Sequence, residues 1–200
     1  MKNCHLTKTS AVALVALVVS SAFGAKIPDG MQWGVTFGFY ATNGYFGSVE
    51  AKAEIDAIAR AGATWVTVVP TVWQDSCSSA FQYKDFALTP NDIELMDAID
   101  LIHAKGMKVQ LHSMLECKDG AESPSGLDVE AEPDEDEQAM YMEALFRVFA
   151  HEPWCRGFHW WKWDQHSPRR KGVTREQVRA RDFTFRGKKA EAVFRRWATR

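Results

Sequence analysis

Thr64-Trp-Val-Thr-Val-Val-Pro-Thr71 is the stretch of sequence that decides the fold. Its dense β-branched residues and its lack of charge predict a strand that is buried on both faces, as strands of parallel sheets are. A helix is predicted on each side of this stretch, so strand and helix alternate. Ser48 is the predicted N-cap of the first helix, which runs to about Ala61. Thr89-Pro90 begins the second helix, which ends at Gly106.

The rest of the chain continues this alternation, which predicts an α/β fold with a parallel sheet. Further strands are predicted at residues 34–40, 107–115 and 157–164, and further helices at residues 134–151 and 188–197. No Gly-x-Gly-x-x-Gly or Walker pattern follows a strand, so nucleotide-binding folds lose support. The remaining common arrangement is a (β/α)8 barrel, whose functional face lies at the carboxyl ends of its strands.

Several polar and aromatic residues stand at these predicted strand ends: Trp73, His112, Glu116, Trp163 and Asp164. The last strand, Gly157-Phe-His-Trp-Trp-Lys-Trp-Asp164, is rich in tryptophan. Rings at the end of a buried strand form a flat, rigid surface on which a sugar ring stacks. The alternative is that these rings only fill a core, since alternation sends successive side chains to opposite faces.

The first 25 residues predict a secretory signal peptide, because Lys2 and Lys8 precede the apolar residues 11–19 and small residues follow. The apolar stretch is shorter than the roughly 20 residues that span a bilayer, and no later segment is long and apolar enough. We therefore expect residues 26–200 to form a single domain of a secreted or periplasmic protein. The export signal argues against nucleic acid as a partner, although the end of the chain is basic.

Metal and cofactor chemistry has no support in the sequence. No spacing of cysteine and histidine resembles a zinc site, so we expect neither a metal nor a cofactor. Cys77, Cys117 and Cys155 follow the predicted signal. An oxidising compartment permits one disulfide among them and leaves one cysteine over.

Motifs near both ends of the mature chain occur in a characteristic order. The first group is Gly34-Val-Thr-Phe, Ala63-Thr-Trp-Val-Thr-Val-Val-Pro-Thr-Val-Trp-Gln, Thr89-Pro-Asn-Asp and Gly106-Met-Lys-Val-Gln-Leu. The second is Glu137-Gln-Ala-Met-Tyr-Met-Glu-Ala, Pro153-Trp-Cys-Arg-Gly-Phe-His-Trp-Trp-Lys-Trp-Asp and Phe185-Arg-Gly-Lys-Lys-Ala-Glu. Together they resemble glycoside hydrolase family 113, whose members are clan A barrels that include β-1,4-mannanases. The resemblance implies a β-linked, mannan-type polysaccharide or oligosaccharide as substrate.

The chain is short for such a barrel, which has eight βα units and typically about 250 residues. Four units are predicted here, and the resemblance assigns them to strands eight, one, two and three. This is a partial (β/α)8 TIM barrel with a parallel sheet in the order 8-1-2-3. The segment for strands four to seven is missing between Glu116 and Glu130. In the clan the acid/base glutamate follows strand four and the nucleophile follows strand seven, so both lie in or beside the missing part.

The resemblance carries over few site residues. Glu116, after the third strand, and Glu122, as a remnant of the nucleophile segment, are the candidate catalytic carboxylates. The candidate substrate-binding residues are Trp73, His112, Trp161, Trp163 and Asp164. Cys77 and Cys117 follow adjacent strands on the same face, so a disulfide can join them and leave Cys155 free.

Three functions remain open at this point. The first is a secreted, retaining hydrolase of β-1,4-linked, mannan-type glycan, internally shortened and with its activity in doubt. The second is a non-catalytic derivative that binds glycan or another protein. The third is the product of a damaged or mis-joined gene. The open edges of strands three and eight favour a homodimer, since unpaired edges and uncovered apolar surface promote association.

Overall fold

The computed structural model describes residues 27–76, 79–119, 134–164, 174, 176 and 183–200. The described strands are β1 Gln32–Phe37, β2 Trp65–Val68, β3 Thr71–Gln74, β4 Lys108–Leu111, β5 Met114–Cys117 and β6 Gly157–Trp160. The described helices are α1 Val49–Arg60, α2 Asp92–Ala104, α3 Glu135–Phe149 and α4 Lys189–Ala198. The predicted signal peptide lies outside the described residues.

The main sheet has four parallel strands in the order β4-β2-β1-β6. This is the predicted order 8-1-2-3 read from its other end, so the partial α/β barrel is confirmed. All four strands point the same way, and their carboxyl ends therefore meet at one edge of the sheet. That edge is where the functional residues are expected from the sequence.

Two of the predicted strands are longer than expected, because each continues after a break. β3 follows β2 and β5 follows β4, and these continuations pair in parallel with the same register as the main strands. Pro70 lies at the break, and a proline has no N–H to donate to a ladder. The His112 and Met114 N–H groups donate to the Val68 and Pro70 carbonyls, so the ladder crosses the break. The sheet thus extends to Gln74 and Cys117.

The helices pack on one face of the main sheet, which we call the helix face. Alternate residues of the two central strands are buried there: Trp33, Val35, Phe37, Val66 and Val68. Phe146 of α3 lies at the centre and is fully buried. Its ring contacts the rings of Trp33, Phe158, Trp160, Phe194 and Trp197. Aromatic packing between α3, α4 and the sheet therefore dominates the core.

The opposite face of the sheet, the inner face, carries polar side chains. His159 lies between Thr67 and Gln32, with Nδ1 2.9 Å from Thr67 Oγ1 and Nε2 3.0 Å from Gln32 Oε1. Thr67 also donates to Gln110 Oε1 at 3.2 Å. Gly34 makes room for the imidazole, since a Cβ at this position would lie 2.5 Å from His159 Nδ1. One hydrogen-bonded row therefore crosses all four strands.

The predicted start of α2 is wrong by two residues. Asn91, not Thr89, is the N-cap: its side chain accepts from the Glu94 N–H, while the Glu94 carboxylate accepts from the Asn91 N–H. This reciprocal capping box satisfies two helix-end donors. The Thr89 hydroxyl is used elsewhere, since it donates to the Thr71 carbonyl at 2.8 Å. The prediction for α1 is confirmed, because Ser48 caps that helix by accepting from the Ala51 N–H.

One of the described cysteines is in a disulfide and the other is free, as the sequence suggests. Cys117 is disulfide-bonded, and its predicted partner, Cys77, lies outside the described residues. Cys155 is a free cysteine and is buried.

Protonation of His159 is expected to weaken the fold. Burial holds the pKa of this imidazole below its ordinary value of 6.5, so the unfolded chain takes up a proton at a higher pH than the folded chain does. The neutral ring therefore contributes its full stabilisation at pH values above the pKa that His159 has in the unfolded chain. This contribution decreases as the pH falls below that pKa. Lys108 is a positive charge on the same face, and its Nζ lies 5.5 Å from the centroid of the Trp65 ring that contacts His159.

The measurement is the free energy of unfolding of the wild type and of His159→Gln between about pH 7.5 and pH 5.5, where most carboxylates stay ionised. The wild type should lose stability across this window, and the glutamine variant should lose less. Parallel pH profiles for the two proteins would contradict the prediction.

A candidate glycan site at the carboxyl ends of the strands

Glu116 and Tyr40 form the polar centre of the site. Glu116 lies in β5, is 5% exposed, and accepts a hydrogen bond of 2.7 Å from the Tyr40 hydroxyl. Tyr40 follows the carboxyl end of β1 and has a φ of 58°, a conformation that costs energy for a residue with a side chain. The bend that it makes turns the phenol towards a strand 76 positions away in sequence. The result is a buried carboxylate held by a charge-assisted hydrogen bond.

Trp73 lies opposite Glu116 in the register of β3 and β5. Its backbone is held on the other side by Tyr83, which exchanges both N–H···O bonds with it at 3.0 and 2.9 Å. Tyr83 in turn donates to Asp75 Oδ1 at 2.7 Å, and this bond raises the pKa of the Tyr83 phenol. The Trp73 indole Nε1 is buried and has no hydrogen-bond partner among the described residues. It is therefore a donor without a partner, in the residue that lies opposite Glu116.

Trp161 supplies the exposed aromatic surface of the site. It follows β6, is 38% exposed, and packs edge-on against Phe39 with ring centroids 4.5 Å apart. Phe39 contacts the Tyr40 ring at 3.9 Å, and the buried Lys162 Nζ lies 4.7 Å from the Phe39 ring. We call Phe39, Tyr40, Trp73, Glu116 and Trp161 the strand-end cluster. It combines a carboxylate, an indole donor and an exposed ring at one edge of the sheet.

The neighbouring Trp163 and Asp164 have a structural role. Trp163 is fully buried, and its indole donates to Glu54 Oε2 at 2.9 Å. Arg186 bonds Glu54 Oε1 at 2.7 Å and reaches Asp164 Oδ2 at 3.5 Å. The sequence predicts that both residues contact substrate at the end of the last strand. That strand ends at Trp160 instead. Beyond it, the chain changes direction, so that Trp163 and Asp164 pack between α1 and the segment before α4.

The remaining predicted residues do not join the cluster in the described structure. His112 is exposed at the break between β4 and β5. Glu122 lies outside the described residues. Tyr40 and Phe39 were missed as site residues from the sequence, although both stand at the end of the first predicted strand. The general rule that barrel sites form at strand ends would have found them.

No metal-binding cluster of histidine, cysteine, aspartate or glutamate occurs among the described residues. Nor does this part of the chain contain a helix with the length and apolarity required to cross a membrane.

Fold and site together define a partial α/β barrel with polar and aromatic residues at the carboxyl ends of its strands. The sequence profile of glycoside hydrolase family 113 matches residues 35–123 and 119–188. This chain therefore belongs to glycoside hydrolase family 113, as its motifs predicted. The two matches meet at residues 119–123, within the interval where the motif order places a missing segment. No curated protein sequence matches the chain significantly.

Solved structures of the same family resemble the fold. One, described as a complex structure of a GH113 β-1,4-mannanase, matches with a TM-score of 0.71 at 15% identity. The match covers 84% of this chain and 99% of that one, and it shows the shared fold.

Two further matches cover less of their own chains. The GH113 β-mannanase AaManA from Alicyclobacillus acidocaldarius, in complex with ManMIm, matches at 27% identity with a TM-score of 0.44 over 60% of this chain. Another GH113 β-1,4-mannanase matches at 23% identity with a TM-score of 0.43 over 58% of this chain. This chain covers 42% of the length of each of the two.

Proposed function

We propose that this protein is a secreted or periplasmic glycoside hydrolase-like protein that acts on β-1,4-linked, mannan-type glycan at the strand-end cluster. The observation that carries the proposal is Glu116, a buried carboxylate that lies opposite Trp73 and bonds Tyr40. The rings of Tyr40, Phe39 and Trp161 are in contact one after the other. Family membership supplies the substrate class. The chemistry of the cluster agrees with it, because a carboxylate and an indole N–H bind sugar hydroxyls while an exposed ring stacks on the sugar.

We further propose that the chain is an internally shortened member of the family. Two observations support this: the described sheet has four strands where a barrel has eight, and the family profile matches in two segments that meet near residue 120. Its export rests on residues 1–25 of the sequence, which have the pattern of a signal peptide.

Hydrolysis of a glycosidic bond requires two carboxyl groups, one on each side of the reacting carbon or bond. Among the described residues, Glu116 is the acid that adjoins the aromatic cluster, whereas Asp164 is engaged by Arg186. This observation keeps a second function open, that of a non-catalytic glycan-binding derivative. Both functions use the same aromatic surface, and they differ only in whether the bound glycan is cleaved.

Glycan binding through Trp161 is the first test. We expect Trp161→Ala to weaken the binding of β-1,4-mannohexaose by tenfold or more, since truncation of a central aromatic contact typically costs about 2 kcal/mol. Isothermal titration calorimetry measures the affinity. The matched control is Trp154→Ala, which removes a 66% exposed tryptophan at the amino ends of the strands and should leave binding unchanged.

The outcome of this comparison decides the proposal. A loss confined to Trp161→Ala supports the strand-end cluster as the glycan site. Equal affinity for the two variants, or no binding of mannohexaose by the folded wild type, would overturn it. Product chromatography after incubation with the same oligosaccharide separates a hydrolase from a protein that only binds.

A further inference from the structure

We propose that Phe81 and Tyr83 form a second sugar-binding subsite, which continues the strand-end cluster and stacks on a further sugar of the same β-1,4-linked oligosaccharide. The inference rests on the proposed function, because it assigns another contact to the glycan that the cluster binds. The features that carry it are a stacked pair of rings on the face of the cluster, the contacts that hold this pair in place, and the exposure of its outer ring.

The pair lies on the same face as the polar centre of the cluster. Tyr83 opposes Trp73 in an antiparallel bridge, and Trp73 opposes Glu116 in the register of β3 and β5. Residues directly opposite each other in a sheet place their side chains on the same face. Tyr83, Trp73 and Glu116 therefore form one row across three neighbouring segments of chain, whose backbones lie about 5 Å apart.

Phe81 extends this row outward, beyond the carboxyl ends of the strands. The segment that contains Phe81 and Tyr83 runs antiparallel to β3, so Phe81 lies farther out than Tyr83 by about 7 Å. The two rings are stacked, with centroids 6.1 Å apart and planes inclined at 26°. The aromatic surface thus continues from Trp73 through Tyr83 to Phe81.

Tyr83 is a rigid support for the outer ring. Its backbone exchanges two hydrogen bonds with Trp73, and its hydroxyl donates to Asp75 Oδ1 at 2.7 Å. Lys118 Nζ lies 5.2 Å from the centroid of the Tyr83 ring and is itself held by an ion pair with Asp85. The support is therefore in place before any ligand binds.

Phe81 is held in place but remains open to solvent. Ser79 Oγ accepts from the Phe81 N–H at 3.2 Å and donates to the Phe81 carbonyl at 3.3 Å, which fixes the backbone. The side chain is nevertheless 72% exposed, so hydrophobic burial does not account for its position. A ring that is already ordered loses little freedom when a ligand stacks on it, and this favours binding.

The surroundings of the pair suit a sugar. A pyranose has an apolar face, which stacks on an aromatic ring, and hydroxyls at its rim, which require polar partners. The exposed Phe81 ring offers the first, and the exposed Asp75 carboxylate beside Tyr83 accepts hydrogen bonds from the second. Because the pair continues the row of Trp73 and Glu116, its occupant is the next part of the glycan that the cluster binds.

Isothermal titration calorimetry with mannohexaose tests the subsite. We expect Phe81→Ala to weaken binding by about fivefold, as the loss of one aromatic contact does. The matched control is Phe86→Ala, which removes a 91% exposed phenylalanine from the same loop and should leave the affinity unchanged. Both side chains are exposed, and circular dichroism checks that each variant is folded.

Two further variants separate stacking from general apolar contact. Phe81→Tyr keeps the flat ring and should retain the wild-type affinity within about twofold. Phe81→Leu keeps an apolar side chain without a flat ring and should lose nearly as much affinity as Phe81→Ala. A leucine variant that binds mannohexaose as tightly as the wild type would contradict stacking at this position.

The outcomes also distinguish this inference from the proposed function. Equal affinity of Phe81→Ala and Phe86→Ala for mannohexaose, while Trp161→Ala binds it weakly, would overturn the second subsite alone, whatever other partner Phe81 then contacts. A folded wild type that does not bind mannohexaose at all would overturn the proposed function and the subsite together. Weakened binding by both Phe81→Ala and Trp161→Ala supports one glycan that contacts both aromatic surfaces.

Discussion

Phe146→Ala is expected to cause a large loss of stability, because Phe146 is the central side chain of the core. The ring is fully buried and contacts five aromatic rings that come from β1, β6 and α4. Its removal leaves a cavity between elements that cannot collapse without moving α3. Losses of about 3–5 kcal/mol are typical for such substitutions, which corresponds to a melting temperature lower by roughly 6–20 °C for a domain of this size.

Denaturant unfolding followed by circular dichroism measures this loss. The matched control is Phe86→Ala, because Phe86 is 91% exposed and its removal should change the free energy of unfolding by less than about 0.5 kcal/mol. A loss for Phe146→Ala that does not exceed the loss for the control would mean that α3 is not part of the cooperative core.

Glu116→Gln is expected to lower the rate of hydrolysis by about 10²–10⁴-fold, the usual contribution of one acid–base group. The amide keeps the shape of the side chain and still accepts from the Tyr40 hydroxyl. It can neither donate nor take up the catalytic proton. Binding of mannohexaose should therefore survive while kcat falls. Tyr40→Phe should have a smaller effect, since it removes the hydrogen bond that orients the carboxylate and leaves the carboxylate in place.

Steady-state kinetics with mannohexaose separate these effects, and circular dichroism checks that each variant is folded. Asp29→Asn is a suitable control, because it neutralises an exposed acid that precedes β1 at the opposite end of the sheet. Hydrolysis by Glu116→Gln at the wild-type rate would exclude Glu116 as a catalytic carboxylate.

Much of the fold could be predicted because its signals are local. The β-branched run at residues 64–71 predicted a central strand, and the cap at Ser48 predicted the start of α1. Motif order identified the family and the strand order, since the sequence keeps both ends of the barrel pattern. Apolar character was a weaker guide to burial in α2, where Ile93 and Met96 are 75% and 63% exposed.

The candidate site could be predicted only in part. Strand-end position predicted Trp73 and Glu116, because carboxyl ends of parallel strands meet at one edge, and the family resemblance added Trp161. Trp163 and Asp164 satisfied the same rule but lie in the core, where they bond Glu54 and Arg186. Their distinction from Trp161 depends on where β6 ends and on how the following residues turn. No local pattern within the tryptophan-rich segment contains that information.

The sequence by itself determined the alternation of strands and helices, the family, and the residues available at the strand ends. Only the tertiary structure decided which of those residues lie together. The contact between Tyr40 and Glu116 joins positions 76 residues apart, and it depends on the register of strands that are not neighbours in sequence. Local propensities report the immediate neighbours of a residue, whereas burial and hydrogen bonding across a sheet follow from the packing of the whole chain.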